Sequence, residues 1–335
     1  MHQPVVLPGD EAGSARPLSA ELADWAGEAD ARRALAALVL RIADASVPLA
    51  QRLALGRLPG DPAEVSGTNR SGDRQKALDL GAHDHYIRAL AGLSVAQLLS
   101  EEAEEIALLD PGGSFDIAID PIDGSGSIGI GVPLGMLFCI FPADSGFART
   151  GREMIAAGYV SFGHTVDFGF SVGDGVAVAT LDPRDGKFHV DSSGVTISTN
   201  TSTIAFNASN SRRWPPGLRR YIDGVIAGAE GPRGRDFNMR WIAAAVGDLH
   251  RILRKGGVFL YPADSRPGYE QGFLRLAYEA FPIAYLVEQA GGAASDGATP
   301  ILDLTLANPH ARVPLFFGSR GEMAVLHNHI AQPDR

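Results

Sequence analysis

Two aspartates three residues apart, Asp120 and Asp123, constrain this chain more than any other feature, because they directly follow a strand-like apolar run at 115–119. Pro121 stiffens the link between the two carboxylates, since its ring fixes φ. The residues at 124–126 are small and leave backbone N–H groups accessible to an anion. Carboxylates that can hold a hard cation, beside amides that can hold a phosphate, predict metal-assisted phosphate chemistry.

The same stretch also matches the pattern G-x-G-x-x-G through Gly124, Gly126 and Gly129, with Asp144 at the spacing of a ribose contact. A dinucleotide-binding fingerprint needs a helix straight after the glycines, whereas Pro133 and a second strand-like run follow here. A parallel return strand would need a crossover of about a dozen residues or more, and there is no room for one. We therefore reject a dinucleotide site.

Composition excludes several classes of partner. The chain has 335 residues, enough for two domains, and its net charge of −10 argues against nucleic-acid binding. Residues 212–255 nevertheless carry ten Arg or Lys against four Asp or Glu, which suits either a small anionic ligand or a solvated surface. No apolar run appears long enough to span a membrane, and the N-terminus does not resemble a signal peptide. We expect a cytoplasmic protein without a membrane partner.

Hydrophobic periodicity predicts a first half that mixes helices with an antiparallel sheet. We expect residues 1–20 to be loose, a helix over 32–55, a loop over 58–72 and a mostly helical segment over 73–97. Four short runs typical of an antiparallel meander follow, at 154–162, 165–172, 175–181 and 187–191.

The second half alternates predicted helices with buried strands. The predicted strands are 204–206, 258–261 and 313–317. The predicted helices are 241–254, 274–290 with a break near Pro282, and 322–330.

Three further acids are of the type that magnesium prefers. Glu101 and Glu102 follow an apolar pair and form either a solvated helix end or part of a metal site. Glu279 lies among apolar residues of a predicted helix, where a charge needs a partner. Mg²⁺ takes oxygen ligands, and waters and substrate phosphate usually complete its octahedron. Spacing alone does not bring these acids to the two aspartates.

The ordered set of motifs resembles class I fructose-1,6-bisphosphatases over most of the chain. In the first half the matching segments are 69–79 (Asn…Gly-Asp-x-x-Lys-x-Leu-Asp), 100–102 (Ser-Glu-Glu) and 120–125 (Asp-Pro-Ile-Asp-Gly-Ser). In the second half they are 240–241 (Arg-Trp), 248–251 (Asp-x-His-Arg), 256–262 (Gly-Gly-Val-Phe-Leu-Tyr-Pro) and 274–279. The Asp-Pro-Ile-Asp-Gly core is shared with inositol monophosphatases, but the ordered set is specific. Segments 207–214 and 231–240 resemble the branch found in carbon-fixing bacteria.

The resemblance implies an α/β protein with the layered αβαβα sugar-phosphatase fold and mixed sheets. An N-terminal α+β metal-site domain would span 1–200, and a C-terminal α/β sugar-phosphate-binding domain would span 201–335. The implied reaction is hydrolysis of the 1-phosphate of fructose 1,6-bisphosphate to fructose 6-phosphate and phosphate, in carbon fixation or gluconeogenesis. It would need two or three Mg²⁺, or Mn²⁺, ions per subunit, and the enzyme would be a homotetramer.

The resemblance also implies roles for individual residues. The main metal ligands would be Glu101, Asp120, Asp123, Glu279 and the carbonyl of Ile122. The residues that generate the attacking hydroxide or join an additional metal would be Glu102, Asp79 and Asp73. The cleaved phosphate would be seated by Asp123, Gly124, Ser125 and Gly126. The sugar and its other phosphate would be bound by Asn207, Tyr261, Arg275 and, from a neighbouring subunit, Arg240.

Some positions depart from the family pattern. Phe273 stands where a lysine or arginine usually contacts the sugar phosphate, so Arg275 or Arg240 is the candidate to compensate. Gly126 and Gly129 fall where the family usually has serine and aspartate. At the positions where AMP-inhibited members of the family bind the nucleotide, this chain has Glu28, Asp30 and Ser114. Acids and an uncharged serine would not hold a phosphate, so we expect no strong inhibition by AMP. A sedoheptulose-1,7-bisphosphatase, sole or dual, and a catalytically silent sugar-phosphate-binding paralogue remain as alternatives.

Overall fold

The computed structural model describes residue 7, residues 15–68 and residues 74–332, and most of these pack on two sheets. The larger sheet has nine strands from residues 16–192, and the smaller has five strands from residues 203–318. Each sheet contains both parallel and antiparallel pairs. The mixed α/β class is therefore confirmed.

The first half of the chain supplies the larger sheet. Its strands are β1 (Arg16–Pro17), β2 (Val65–Thr68), β3 (Arg74–Lys76), β4 (Val95–Ser100), β5 (Ala107–Leu108), β6 (Phe115–Asp123), β7 (Leu134–Pro142), β8 (Ala156–Phe162), β9 (Val166–Ser171), β10 (Ala177–Asp182) and β11 (Lys187–Ser192). The sheet order is β1-β11-β10-β9-β8-β7-β6-β4-β5, while β2 and β3 form a separate hairpin. The predicted antiparallel meander is confirmed as β8 to β11.

The second half supplies the smaller sheet and a short ribbon. Its strands are β12 (Thr203–Phe206), β13 (Asn238–Met239), β14 (Val258–Tyr261), β15 (Leu274–Arg275), β16 (Ala293–Ser295), β17 (Arg312–Val313) and β18 (Leu315–Gly318). The five-stranded order is β13-β12-β14-β18-β16, and β15 pairs only with β17 among the described residues.

Seven α-helices cover the sheets in the described part of the chain. They are α1 (Leu18–Ala26), α2 (Asp30–Ala54), α3 (Ala77–Leu90), α4 (Pro216–Ile226), α5 (Ala245–Lys255), α6 (Phe281–Gln289) and α7 (Arg320–Ala331). A π-helical turn at Leu276–Ala280 leads into α6.

Helices and sheets alternate in five layers, which are held together by three clusters of buried side chains. Helices α1 to α3 bury their apolar faces on the outer face of the larger sheet. Helices α5 and α6 fill the space between the two sheets, and α4 and α7 cover the outer face of the smaller sheet. The layer order is therefore αβαβα, which confirms the fold implied by the resemblance.

Strand β6 is buried along its whole length because helices cover both faces of the sheet. Ile117 and Ile119 face the α1–α3 layer, and Ala118 faces the α5–α6 layer. The pairing of β6 with β7 shifts register between Asp120 and Asp123. Such irregularities re-aim side chains at strand ends, so the apolar strand delivers its two aspartates at one edge of the sheet.

Helix α2 corrects one expectation about apolar runs. It has 25 residues, and an 18-residue window within it has a mean hydropathy of 1.4, so it is long and apolar enough to cross a membrane. Ten of its residues are buried, and it packs against α1, α3 and β8. It is a core helix and not a membrane span.

Three predicted helical boundaries were wrong. In the described part of the segment predicted over 73–97, residues 74–76 form strand β3 and residues 95–97 belong to strand β4. Gly92 at φ 80° stops the helical region, and Val95 pairs with the neighbouring strand β6. The helix predicted from 241 begins at Ala245, since Ala243 adopts φ 68°. Leu274 and Arg275 form a strand, and Pro282 lies in the first turn of α6, where its missing N–H breaks no helical bond.

Two helices were not predicted from periodicity. Helix α1 begins at Leu18, within the segment expected to be loose, and buries Leu18 and Leu22. Helix α4 begins at Pro216, where proline fits the first helical turn.

Candidate active site

A cavity of about 400 Å³ opens where β6 ends, and residues from both halves of the chain line it. It brings together most of the predicted site residues: Asp79, Glu101, Glu102, Asp120, Ile122, Asp123, Gly124, Ser125, Gly126, Tyr261, Arg275 and Glu279. The acids that spacing alone could not place together therefore share one cavity.

Three buried carboxylates form the floor of this cavity. One oxygen each from Asp120, Asp123 and Glu279 lies within 4.8 Å of the others. Backbone N–H groups orient these side chains: Ile122 donates to Asp120 Oδ1 at 2.9 Å, and Val246 donates to Asp123 Oδ2 at 2.7 Å. The Arg275 backbone N–H donates to Glu279 Oε2. Oxygen ligands in such a cluster suit a hard divalent cation.

Burial and mutual repulsion disfavour ionisation of this cluster. Burial and then the nearby Glu101 raise the pKa of both Asp120 and Glu279 well above its usual range. Burial and the Glu102 charge raise the pKa of Glu101 to about 7, and burial raises the pKa of Asp123 to about 6. A bound cation would remove the repulsion that opposes their ionisation, so the residues fit a divalent metal centre.

Asp79 and Glu102 form a second acidic pair at the cavity wall. Asp79 Oδ2 accepts the Lys76 backbone N–H at 3.0 Å at the start of α3, which fixes its side chain. Its Oδ1 is buried without a hydrogen-bond partner among the described residues. Burial and the Glu102 charge raise the pKa of Asp79 to about 7.

The small residues after Asp123 form a tight turn beside the carboxylates. Gly124 adopts φ 83°, and a Cβ there would lie 2.8 Å from Ala244 Cβ, so only glycine fits. A 3₁₀ turn follows at Ser125–Ser127, and Lys76 Nζ donates to the Ser125 carbonyl. Residues 124–126 line the cavity and carry no bulky side chains, so a phosphate could approach their backbone N–H groups.

Aromatic rings line another part of the cavity. Trp241 stacks on Phe259 with centroids 5.4 Å apart, and Tyr261 continues the stack at 6.2 Å from Trp241. Phe273 lies 5.7 Å from Tyr261, and the Arg312 guanidinium carbon lies 5.4 Å from the Phe273 ring centroid.

Some predicted site residues lie elsewhere. Asn207 and Arg240 do not line the cavity; Asn207 Oδ1 accepts the Ser209 N–H, and Arg240 is exposed. Arg275 is buried, and its Nη1 donates to the Phe273 carbonyl at 2.9 Å. Asp73 lies outside the described residues.

Sequence reasoning missed two contributors. Gln75 lines the cavity and donates to Glu102, yet its position in the 69–79 motif carries no chemical signal of its own. The second, Arg312, does not line the cavity but lies over the ring of Phe273, which does, because β15 pairs with β17. Periodicity does not predict this contact between distant segments.

Comparisons with known proteins agree on one family. The model for "Fructose-1-6-bisphosphatase, N-terminal domain" matches residues 28–192, and the model for the C-terminal domain of that family matches residues 197–331. "Fructose-1,6-bisphosphatase class 1" of Brucella anthropi is 47% identical over 332 residues, which cover 98% of this chain and 98% of that protein. The Brucella suis biovar 1 relative has the same identity and coverage.

Solved structures lead to the same family. Fructose-1,6-bisphosphatase of Leishmania major in its holo form matches with a TM-score of 0.88 at 28% identity, covering 96% of this chain and 100% of that one. The T-state form of that protein matches with a TM-score of 0.82 at 26% identity, again over 96% of this chain and 100% of that one. These matches do not distinguish the branch found in carbon-fixing bacteria.

Proposed function

The chain belongs to the class 1 fructose-1,6-bisphosphatase family, and on this premise we propose how its own residues hydrolyse fructose 1,6-bisphosphate. The enzyme is a phosphoric monoester hydrolase that releases fructose 6-phosphate and phosphate from a sugar bisphosphate. Its family implies divalent metal ions. The ions, the residue roles and the assembly below are the proposal.

The buried carboxylates would hold two or three Mg²⁺ or Mn²⁺ ions. The ligands would be Glu101, Asp120, Asp123, Glu279 and the Ile122 carbonyl, with Asp73, outside the described residues, at an additional ion. The close carboxylate oxygens and their raised pKa values support this set. When bound, the ions would neutralise the phosphate oxygens and make the attacking water more acidic. This cluster is the observation that carries the proposal.

Glu102, with Asp79 beside it, would accept the proton of the attacking water. The water oxygen forms a bond to phosphorus as its proton passes to the carboxylate pair. The bond from phosphorus to the sugar O1 breaks, and the pair passes that proton on to O1. A pKa near neutrality suits proton transfer at physiological pH, and the pKa of Asp79 is raised to about 7 by burial and by Glu102. Glu102 and Asp79 would thus act together in the proton transfer.

The turn after Asp123 would seat the 1-phosphate, since residues 124–126 line the cavity next to the carboxylates. Tyr261 and Asn207 would contact the sugar and its 6-phosphate. Arg275 lies beside Glu101 and Glu279, so its charge would balance these acids as well as a phosphate.

Arg240 would complete the site of a neighbouring subunit in a homotetramer. Its side chain is exposed and does not line the cavity of its own subunit, which supports a role in another one. The chain would divide near residue 200, because the larger sheet ends at residue 192 and the smaller begins at residue 203. We place the enzyme in the cytoplasm, in gluconeogenesis or carbon fixation.

A phosphate-release assay tests the proposal directly. The enzyme would be assayed with fructose 1,6-bisphosphate and with sedoheptulose 1,7-bisphosphate, in Mg²⁺, in Mn²⁺ and in excess chelator. We expect metal-dependent release from the fructose substrate. Release from the sedoheptulose substrate alone would overturn the substrate assignment, and no release from either would indicate a silent paralogue.

A further inference from the structure

Gln75 holds both the side chain and the main chain of Glu102 with one amide group. Its Nε2 donates to the Glu102 carbonyl at 2.8 Å and to Glu102 Oε2 at 2.9 Å. An amide nitrogen carries two hydrogens, so each acceptor receives one. Because both partners are oxygen acceptors, the nitrogen of the amide must face them. The contact therefore defines the orientation of Gln75 as well as that of Glu102.

The strand that carries Gln75 is tied to the cavity at several points. Gln75 is the middle residue of β3 and lines the cavity together with Glu102. The next residue, Lys76, donates from Nζ to the Ser125 carbonyl and from its backbone N–H to Asp79 Oδ2. The segment that carries Gln75 is therefore held through Lys76 both to Asp79, one of the cavity's acids, and to Ser125 in the turn proposed to bind phosphate.

We infer that Gln75 is a positioning residue for the hydrolysis, and that it acts through Glu102. Its amide holds both Oε2 and the main-chain carbonyl of Glu102, which keeps the carboxylate in one orientation at the cavity wall. This inference rests on the proposed role of Glu102 as the base. A glutamate side chain has three rotatable bonds, and a base is effective only within hydrogen-bond reach of the proton that it abstracts. A fixed carboxylate is therefore a better base than one that samples several rotamers.

A double-mutant cycle tests whether the effect of Gln75 passes through Glu102. The four proteins are the parent, Gln75→Met, Glu102→Gln and the double variant; methionine keeps the side-chain length but has no donor. We expect Gln75→Met to lower kcat by about tenfold or more, the scale of a lost hydrogen bond to a charged group. KM should stay within about twofold, because Gln75 is proposed to act on Glu102 and not to bind the substrate. In the Glu102→Gln background the same change should leave kcat unaltered.

Two further variants secure the interpretation. Gln51→Met makes the same substitution on the exposed side of α2 and should not change kcat. Gln75→Glu keeps the side-chain shape but places a second carboxylate against Glu102, so its kcat should fall further than that of Gln75→Met. If Gln75→Met does not fold, as judged by its melting temperature, the cycle is completed with Gln75→Glu.

The possible failures are distinguishable. An equal loss of kcat in both backgrounds, or a raised KM with unchanged kcat, would overturn the inference and leave the base assignment standing. A Glu102→Gln variant with kcat close to that of the parent would instead show that the base assignment is wrong. The family activity itself is measured independently on the parent.

Discussion

The Arg312 guanidinium stacks over the ring of Phe273, with 5.4 Å between its central carbon and the ring centroid. Phe273 also stacks on Tyr269 at 5.1 Å, and Arg266 covers Tyr269 at 3.8 Å. Two arginines therefore flank an aromatic pair where the family resemblance leads one to expect a basic residue. Phe273 lines the cavity whereas Arg312 does not, and the family resemblance implies that the distal phosphate binds beside position 273. On that proposal Arg312 would supply positive charge to the distal phosphate.

We predict that Arg312→Gln raises KM for fructose 1,6-bisphosphate by about tenfold, the scale of one lost charge-assisted hydrogen bond. kcat should change little, because a phosphate remote from the reacting bond is held alike in ground and transition states. Steady-state kinetics measure both. Arg184→Gln, at an exposed hairpin, is the matched control. An unchanged KM would assign the distal phosphate to other cations.

Removal of divalent ions should abolish turnover, and Mg²⁺ or Mn²⁺ should restore it. The reason is the all-oxygen set of buried carboxylates, which prefers hard cations and repels substrate phosphate without them. Phosphate release after dialysis against chelator, followed by titration with each metal, measures the effect. Far-ultraviolet circular dichroism of the metal-free protein serves as the control for folding. Full activity in excess chelator would contradict the proposed mechanism.

AMP should not inhibit the enzyme strongly. Glu28, just before α2, and Asp30, its first residue, pair with Arg33 and present acids where a nucleotide phosphate would need cations. Ser114 hydrogen-bonds with Ser94 and carries no charge. We expect an inhibition constant weaker than about 1 mM in a phosphate-release assay. Potent inhibition that does not compete with substrate would show that a nucleotide site exists.

The strands and the aspartate pair were predictable because their signals are local. A buried apolar run, a proline and three small residues sufficed to predict chemistry at Asp120 and Asp123. The meander was predictable because each short strand is bounded by turn residues. The true helical starts at Ala245 and Leu276 were not predictable, since they depend on an unusual φ at Ala243 and on the pairing of Leu274–Arg275 with a strand near residue 312.

The rest of the site depends on contacts between distant segments. Gln75 and Glu102 are 27 residues apart, and no periodicity links them. Glu279 stood out as a candidate site residue because a charge among apolar residues needs a partner, but the family resemblance was needed to name that partner. The local sequence pattern alone thus predicted metal-assisted phosphate chemistry, in keeping with the family found by the comparisons, whereas the set of residues that line the cavity required the fold.

The metal-free protein should lose stability as pH rises. A carboxyl whose pKa is raised on folding binds its proton more tightly in the folded than in the unfolded state. Burial and the Glu102 charge raise the pKa of both Glu101 and Asp79 to about 7, and burial raises the pKa of Asp123 to about 6. The cost of ionising these groups therefore develops between their unfolded pKa values, about 4, and about pH 7. Below about pH 4 these carboxyls are protonated in both the folded and the unfolded protein, so folding carries no cost of ionisation.

Urea unfolding in chelator at pH 5, 6, 7 and 8 measures this trend as a falling midpoint. Saturating Mg²⁺ should raise the midpoint most at pH 8, because the ion replaces protons that the cluster has lost. Glu279→Gln removes one repelling charge, so it should stabilise the metal-free protein at pH 8 relative to the parent while reducing activity. Glu105→Gln, an exposed acid outside the cavity, is the control and should leave the profile unchanged. If the midpoint of the metal-free parent rises from pH 5 to 8, the carboxylates are paired by groups of the protein itself, and a cation is not what stabilises them.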